Sequence, residues 1–118
     1  MVLVDTSIWI EHLRSGSLTL AALLNKALIV THPFIVGELA CGNLKHRKKF
    51  MSLLSELPSA VTASHDEVLE LIDAHKLMGQ GIGWIDANLL ASSLLSGTPL
   101  WSGDRRLRSI AAVLGVLY

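Results

Sequence analysis

The chain has 118 residues, of which 51% are hydrophobic and 17% charged, and its ten basic and ten acidic side chains give a formal net charge of zero. This length predicts a single domain over residues 1–118, and the composition is too apolar for a disordered protein. Zero net charge excludes a global electrostatic attraction to nucleic acid or membranes, so any site for a polyanion must be local.

In the first half of the chain, short apolar or β-branched runs alternate with longer helical patterns. Gly16 ends the first helical pattern, and Ser17 is suited to cap the second. The predicted elements are a strand at 2–4, a helix at 6–14, a helix at 18–26, a strand at 28–31, a helix from 33 to about 42, and a helix at 45–57.

The second half continues the same alternation. Ser64 and Glu67 form a capping box that begins a helix, and Gly97 ends an apolar helix at 84–96. The other predicted elements are a strand at 60–63, a loop at 79–83, a strand at 100–101, a last helix with Leu107, Ile110, Ala111 and Leu114 on one face, and an edge strand at 116–118. Strands alternating with helices predict an α/β fold with a central parallel sheet of four to five strands flanked by helices.

The sequence also indicates a compartment. Cys41 is the only cysteine, which excludes an intramolecular disulfide and a cysteine-based zinc site. Asp5 and Glu11 interrupt the N-terminal apolar run, and no basic segment precedes it, so a secretory signal is not expected. The longest uncharged run, residues 87–103, contains serine, glycine and proline and is not expected to span a membrane. We therefore expect a cytoplasmic protein.

Four acidic residues interrupt apolar segments: Asp5, Glu38, Asp86 and Asp104. A carboxylate near a core needs a partner, a metal ion or a raised pKa. Ligands of open parallel sheets bind beyond the carboxyl ends of the strands, where Asp5 and Asp104 are expected. These two meet if the first and fourth predicted strands are neighbours. Spacing alone does not bring Glu38 and Asp86 to the same place.

Three of these acids have a second interpretation. Asp5 and Asp104 directly precede predicted helices, and Asp86 lies in a first helical turn, where carboxylates cap or stabilise the helix end. Glu38 has no helix end nearby and apolar neighbours, so capping does not explain it. At this point both interpretations stay open for the three aspartates.

Four short segments carry a family resemblance: Val4-Asp5-Thr6-Ser7, Gly37-Glu38-Leu39, Ile85-Asp86-Ala87 and Trp101-Ser102-Gly103-Asp104. In this order and spacing the chain resembles the PIN domain over essentially its whole length, and most closely the VapC-type toxins, which are the ribonucleases of toxin–antitoxin pairs. The resemblance implies a three-layer fold. Two departures are Gly103, where the family is often larger or charged, and Leu107, where some members carry a fifth acid.

The resemblance also implies the site. Its catalytic residues would be Asp5, Glu38, Asp86 and Asp104, with Asp5, Asp86 and Asp104 as metal ligands and the hydroxyls of Thr6, Ser7 and Ser102 beside them. An all-oxygen ligand set selects Mg²⁺ or Mn²⁺ over Zn²⁺, and such an ion supports phosphodiester hydrolysis. We expect a metal-dependent endoribonuclease, the toxin of a type II VapBC-like system, that leaves a 5′-phosphate and a 3′-hydroxyl. Glu38 would hold a water ligand or assist deprotonation.

Two basic segments are candidates for contact with RNA phosphates, which would be sequence-independent and salt-sensitive. The candidates are Lys45, Arg47, Lys48 and Lys49 in one run, and Arg105 and Arg106, followed by Arg108, after the last aspartate. Solvated helix faces are the alternative for both segments. The glycine-rich loop at 79–83 follows no strand, so it is not a nucleotide-binding fingerprint, and we expect a mobile loop near Asp86.

Trp9, Ile10 and Leu13 on the first helix have two interpretations: core packing, or a groove that accepts an amphipathic antitoxin segment. The resemblance implies both an antitoxin partner and a homodimer. Three rival functions remain: a catalytically inactive PIN scaffold that acts through its partner, a receiver-like signalling domain, and a DNA nuclease on the same fold. A receiver needs an acceptor aspartate after its third strand, where this chain has Ala63-Ser64-His65.

Overall fold

The computed structural model describes all 118 residues. Three strands and seven helices form the chain. In order they are β1 (Val2–Val4), α1 (Thr6–Ser15), α2 (Leu18–Asn25), β2 (Ile29–Val30), α3 (Pro33–Ala40), α4 (Arg47–Glu56), α5 (His65–His75), α6 (Trp84–Ser96), β3 (Leu100–Trp101) and α7 (Arg105–Val113).

The sheet is parallel, with β1 at its centre and the order β2-β1-β3. Every residue of β1 is buried. Because successive side chains of a strand point to opposite faces, both faces of the sheet are covered. The chain runs from β1 to β2 on one side of it and later from β2 to β3 on the other side. Because the two crossovers run in opposite directions and both are right-handed, their helices lie on opposite faces of the sheet. The result is an α/β fold with helices on both sides of a parallel sheet.

The sheet has three strands, fewer than the four to five predicted. Residues 60–63 form no strand, and the one parallel bridge nearby joins Thr31 to Ser59, just before them. The predicted strand at 116–118 is reduced to one parallel bridge between Leu100 and Leu117. The first bridge cannot extend in either direction, because Pro58 has no N–H to donate and the Val61 N–H bonds the Ser96 hydroxyl instead, at 2.9 Å. The segment at 116–118 lies at an edge of the sheet, beside β3, as predicted.

Two predicted helix boundaries move for identifiable reasons. α4 begins at Arg47 because His46 adopts a left-handed conformation, with φ of 53°, that a helix cannot include. α3 ends at Ala40, and the N–H of Cys41 bonds back to Gly37 and Glu38. The helix start at Ser64 is as predicted: its hydroxyl accepts the Glu67 N–H at 3.1 Å, and the Glu67 carboxylate accepts the Ser64 N–H at 2.8 Å.

The main core joins the sheet to α1, α2, α3, α4, α6 and α7. Trp9 is fully buried and meets the Phe50 ring edge-on, at 5.6 Å between centroids, so for Trp9 the core interpretation is correct. α6 is buried without interruption from Ala87 to Ser93, as its apolar sequence predicts. Leu107 is also fully buried, which explains why no fifth acid stands there. No helix has the length and apolarity needed to cross a membrane.

Candidate active site

Asp5 and Asp104 meet at the carboxyl end of the sheet. β1 and β3 pair in register, Val4 with Trp101, and the Asp5 N–H donates to the Trp101 carbonyl at 2.9 Å. The Ser102 hydroxyl joins the two acids, since it donates to Asp5 Oδ2 at 2.7 Å and accepts the Asp104 N–H at 3.0 Å. The neighbourhood expected from strand order is therefore present.

Three donors orient the Asp5 carboxylate, which is buried. Its Oδ1 accepts the Thr6 N–H at 2.8 Å, and its Oδ2 accepts the hydroxyls of Ser7, at 3.0 Å, and Ser102. The Ser7 hydroxyl also accepts the Gly103 N–H at 3.0 Å. The two serines thus connect the loop after β1 to the loop after β3 through one carboxylate oxygen.

Glu38 is linked to this site by a hydrogen bond from Thr6, the first residue of α1. The Thr6 hydroxyl donates to Glu38 Oε1 at 2.8 Å, and α1 packs against α3. Glu38 is exposed, as is Asp104, whereas Asp5 is buried and Asp86 partly buried. The expectation that all four acids lie against the core is therefore wrong for Glu38 and Asp104. Glu38 lies on the exposed face of a helix whose other face, with Ile35 and Leu39, is buried.

Asp86 lies in the first turn of α6 and is partly buried. Burial raises the pKa of its carboxyl above the ordinary value, and the Gly83 N–H, which donates to Oδ2 at 3.4 Å, opposes that rise. The negative charges of Asp5, Asp104 and Glu38 raise the Asp86 pKa further. The direction of this effect is the one expected when carboxylates lie near one another.

The capping interpretation of the aspartates is correct, and it leaves oxygens available for a site. Asp5 and Asp104 are N-caps, and Asp86 forms a cap bond to Gly83. Asp104 uses only Oδ1, which accepts the Leu107 N–H at 2.9 Å. No hydrogen bond reaches the second oxygen of Asp104, Asp86 or Glu38. Each of these three side chains therefore keeps one oxygen available for a ligand.

The four acids fit a divalent cation by their donor chemistry. The only ion pair in the protein joins Arg14 to Glu11, at 3.7 Å, so no basic side chain neutralises the cluster. Oxygen donors that repel one another are the ligands of hard cations. No three acidic, histidine or cysteine side chains form a closed ligand group. A Mg²⁺ ion keeps several waters in such sites, so the acids could hold it directly or through water.

The two basic segments lie in different surroundings. Arg105 and Arg106 line a cavity of about 610 Å³ that also includes Asp104. Lys45 and Lys49 instead line a groove of about 350 Å³ whose apolar residues are Leu13, Phe50 and Leu53. The Arg47 guanidinium donates to the Ala40 carbonyl at 2.8 Å and so caps the end of α3. Lys48 is exposed.

Sequence reasoning missed two contacts beside the site. The Arg108 guanidinium donates to the Ser102 carbonyl at 3.1 Å and so holds the loop that carries Asp104. The Arg106 side chain lies directly against Gly81 in the loop before α6. The alternate glycines of that loop, of which Gly79 and Gly81 have positive φ, were the available signal. They indicated an unusual backbone but not the side chain that packs on it.

Comparison with known proteins adds two findings. A model of the PIN domain matches residues 2–113 of the chain. The chain is also similar to the proteins named Ribonuclease VapC32 in two strains of Mycobacterium tuberculosis, CDC 1551 / Oshkosh and H37Rv. Each is 44% identical to it over 117 residues, which are 98% of this chain and 94% of the relative.

Proposed function

The chain belongs to the PIN-domain family, and from that premise we propose that it is a divalent-metal-dependent endoribonuclease with a catalytic centre at Asp5, Glu38, Asp86 and Asp104. The observation that carries the proposal is the hydrogen-bonded group at the carboxyl end of the sheet: Ser102 links Asp5 to Asp104, and Thr6 links Asp5 to Glu38. The effect of these three charges on the Asp86 pKa supports including Asp86 in the same centre. Relatives at 44% identity are named ribonucleases, which supports RNA as the substrate class. The PIN-domain match leaves no support for a receiver-like domain.

We assign Asp5, Asp86 and Asp104 as ligands of Mg²⁺ or Mn²⁺. A bound divalent ion lowers the pKa of water, polarises a phosphoryl oxygen and stabilises the leaving group. Ser7 and Ser102 keep the Asp5 carboxylate in one orientation through its Oδ2. Thr6 holds Glu38 through Oε1, which leaves Oε2 free to accept a proton from the attacking water. In-line attack by water would leave a 5′-phosphate and a 3′-hydroxyl.

We further propose that the protein is the toxin of a type II VapBC-like pair and acts in the cytoplasm. The groove lined by Leu13, Lys45, Lys49 and Leu53 is the proposed site of an antitoxin segment. Its apolar floor and basic rim suit an amphipathic helix with acidic flanks. Ile10, beside Leu13 on α1, is 41% exposed. A homodimer, also proposed, is checked by light scattering of the purified protein.

Asp5→Asn tests the catalytic assignment, because it keeps the shape of the side chain and removes its charge. Several kcal/mol of lost transition-state stabilisation would lower Mg²⁺-dependent RNA cleavage by about a hundredfold or more. Circular dichroism establishes that the variant is folded. Asp66→Asn is the matched control, since Asp66 is also an acid at a helix start but lies outside the cluster. Full activity of folded Asp5→Asn would remove Asp5 from the mechanism.

The same assay separates the remaining rivals. A wild-type protein that cleaves neither RNA nor single-stranded DNA with Mg²⁺ or Mn²⁺, yet binds its partner, would be an inactive scaffold. Cleavage of DNA at a rate equal to or above that of RNA would instead indicate a DNA nuclease. The proposal requires that RNA of the same sequence is the better substrate.

A further inference from the structure

The cavity beside Asp104 is a separate feature of the surface. It has a volume of about 610 Å³ and lies between the loop before α6 and the first turns of α7. Asp104 forms part of its wall, and Gln80, Arg106 and Ser109 supply other polar groups. Cavities of 300–1,000 Å³ hold small organic ligands, so this one has room for a nucleotide.

The Arg106 side chain packs directly against Gly81 in this cavity. Gly81 has φ of +82°, and a β-carbon there would lie 2.5 Å from the Arg106 Cδ. Any larger residue at 81 would be strained and would displace the arginine. The Arg106 side chain therefore lies across the loop that leads to Asp86, and this contact packs the loop against α7.

The Arg106 charge has no partner in the protein. No carboxylate lies within 4.0 Å of its guanidinium, although Asp104 is only two residues away, and it donates no hydrogen bond. A guanidinium presents five donors in a planar fork that matches the oxygens of a phosphate. An arginine that shares a cavity with Asp104 without pairing with it remains free to bind an anion from outside.

We propose that this cavity binds the nucleotide next to the scissile phosphate of a single-stranded RNA, with the Arg106 guanidinium on that nucleotide's phosphate. This inference rests on the proposed function, because Asp104 links the cavity to the catalytic centre. Because Asp104 and Arg106 line the same cavity, a strand cleaved at the acids would extend past Arg106. An unpaired nucleotide can turn its base into a concave pocket, whereas the bases of a duplex stay stacked.

RNA binding at several salt concentrations tests the proposal. Every protein carries Asp5→Asn, so that the strand is not cut, and a labelled single-stranded oligonucleotide is titrated by fluorescence anisotropy in Mg²⁺. Arg106→Ala should weaken binding and lower the slope of log affinity against log salt by about 0.7, the loss of one phosphate contact on a single strand. Arg106→Lys should restore the slope but not the full affinity, because lysine keeps the charge and lacks the fork.

Two further variants make the result specific. Arg14→Ala removes an exposed arginine that pairs with Glu11 and should leave affinity and slope unchanged. Gly81→Ala should weaken binding as Arg106→Ala does, and combining the two should add little, because both remove the same contact. An Arg106→Ala variant that binds like Arg14→Ala would overturn the proposal, as would equal losses on single-stranded and duplex RNA.

Cleavage by the protein with Asp5 intact keeps this test apart from the proposed function. If that protein cuts RNA and Arg106→Ala has an unchanged KM, the cavity assignment fails and the nuclease assignment stands. If the protein neither cuts nor binds RNA, the proposed function itself fails. A higher KM for Arg106→Ala with a smaller change in kcat is the result expected of a binding contact.

Discussion

At the residue scale, Ser102 is the clearest example of a side chain whose position depends on two distant parts of the chain. It is almost fully buried, donates to Asp5 and accepts from the Asp104 backbone. A buried group that loses its partner carries the full desolvation penalty. The orientation of Asp5 and the stability of the β3–α7 loop therefore depend on the same hydroxyl.

Ser102→Ala should lower the free energy of unfolding by about 1–3 kcal/mol, because the Asp104 N–H and one bond to Asp5 are left unmet. It should also lower kcat through the misplaced carboxylate. Urea denaturation and RNA cleavage measure the two effects. Ser92→Ala is the control, since the Ser92 hydroxyl is buried without any partner and its removal should be nearly neutral. Equal losses in the two variants would contradict the assigned role of Ser102.

At the element scale, α3 carries Glu38 and is capped by an unusual residue. His32 is fully buried, and its Nδ1 accepts the Phe34 N–H at 3.0 Å. Because Nδ1 is an acceptor, the neutral ring carries its proton on Nε2, which is buried without a partner. Protonation of Nδ1 would remove the cap bond, so the start of α3 requires a neutral histidine.

The His32 ring should make stability depend on pH. Burial lowers the pKa of His32 from the ordinary 6.5. As pH falls below 6.5 the unfolded chain takes up a proton that the folded protein does not, so the free energy of unfolding decreases, by at most about 1.4 kcal/mol per pH unit. Above pH 6.5 the ring is neutral in both states and contributes no pH dependence.

His32→Asn provides the comparison, because asparagine can also cap a helix but does not titrate. The variant should be less stable at neutral pH through lost packing, yet its stability should fall less between pH 6.5 and 5 than that of the protein with His32. Chemical denaturation at each pH measures the difference. Parallel pH curves for the two proteins would show that His32 has no part in the acid dependence.

The elements were predictable where local signals agree, and less so where they depend on pairing. The capping box at Ser64 and the apolar run closed by Gly97 located α5 and α6 from the sequence. The segment at 60–63 has strand-like residues, but the Val61 N–H donates to the Ser96 hydroxyl of α6 instead of to a neighbouring strand. No local pattern reveals that competition, so the sheet edge was overestimated.

The candidate site divides in the same way. Strand order alone brought Asp5 and Asp104 together, because parallel strands end at a common edge. The positions of Glu38 and Asp86 depend on how α3 and α6 pack, which residue spacing does not determine. Their assignment to the same site came from the family resemblance. The Arg106 contact with Gly81 could not be predicted, since it joins residues 25 positions apart through a side chain on one and the absence of a side chain on the other.

At the scale of the whole molecule, the acidic centre and the apolar groove are lined by different residues. Leu13→Asp should weaken the complex with the proposed antitoxin by roughly tenfold or more, because it places a charge on the apolar floor of the groove. RNA cleavage by the free protein should be unchanged. Val113→Asp is the control, since Val113 is 87% exposed and does not line the groove.

Pull-down and calorimetric titration with the purified partner measure the effect. A Leu13→Asp protein that binds the partner as tightly as the Val113→Asp protein would place the partner site elsewhere. A loss of cleavage in the free Leu13→Asp protein would instead show that the groove and the acidic centre are coupled.

The proposed activity depends on one shared cation site. Titration with Mn²⁺, followed through the electron paramagnetic resonance signal of the free ion, tests this site most directly. The protein should show saturable binding that weakens at least about tenfold in Asp5→Asn and in Asp86→Asn, because each removes one charge from the site. Asp66→Asn should bind as the unaltered protein does. Equal Mn²⁺ affinity in all four proteins would contradict a common site at the four acids.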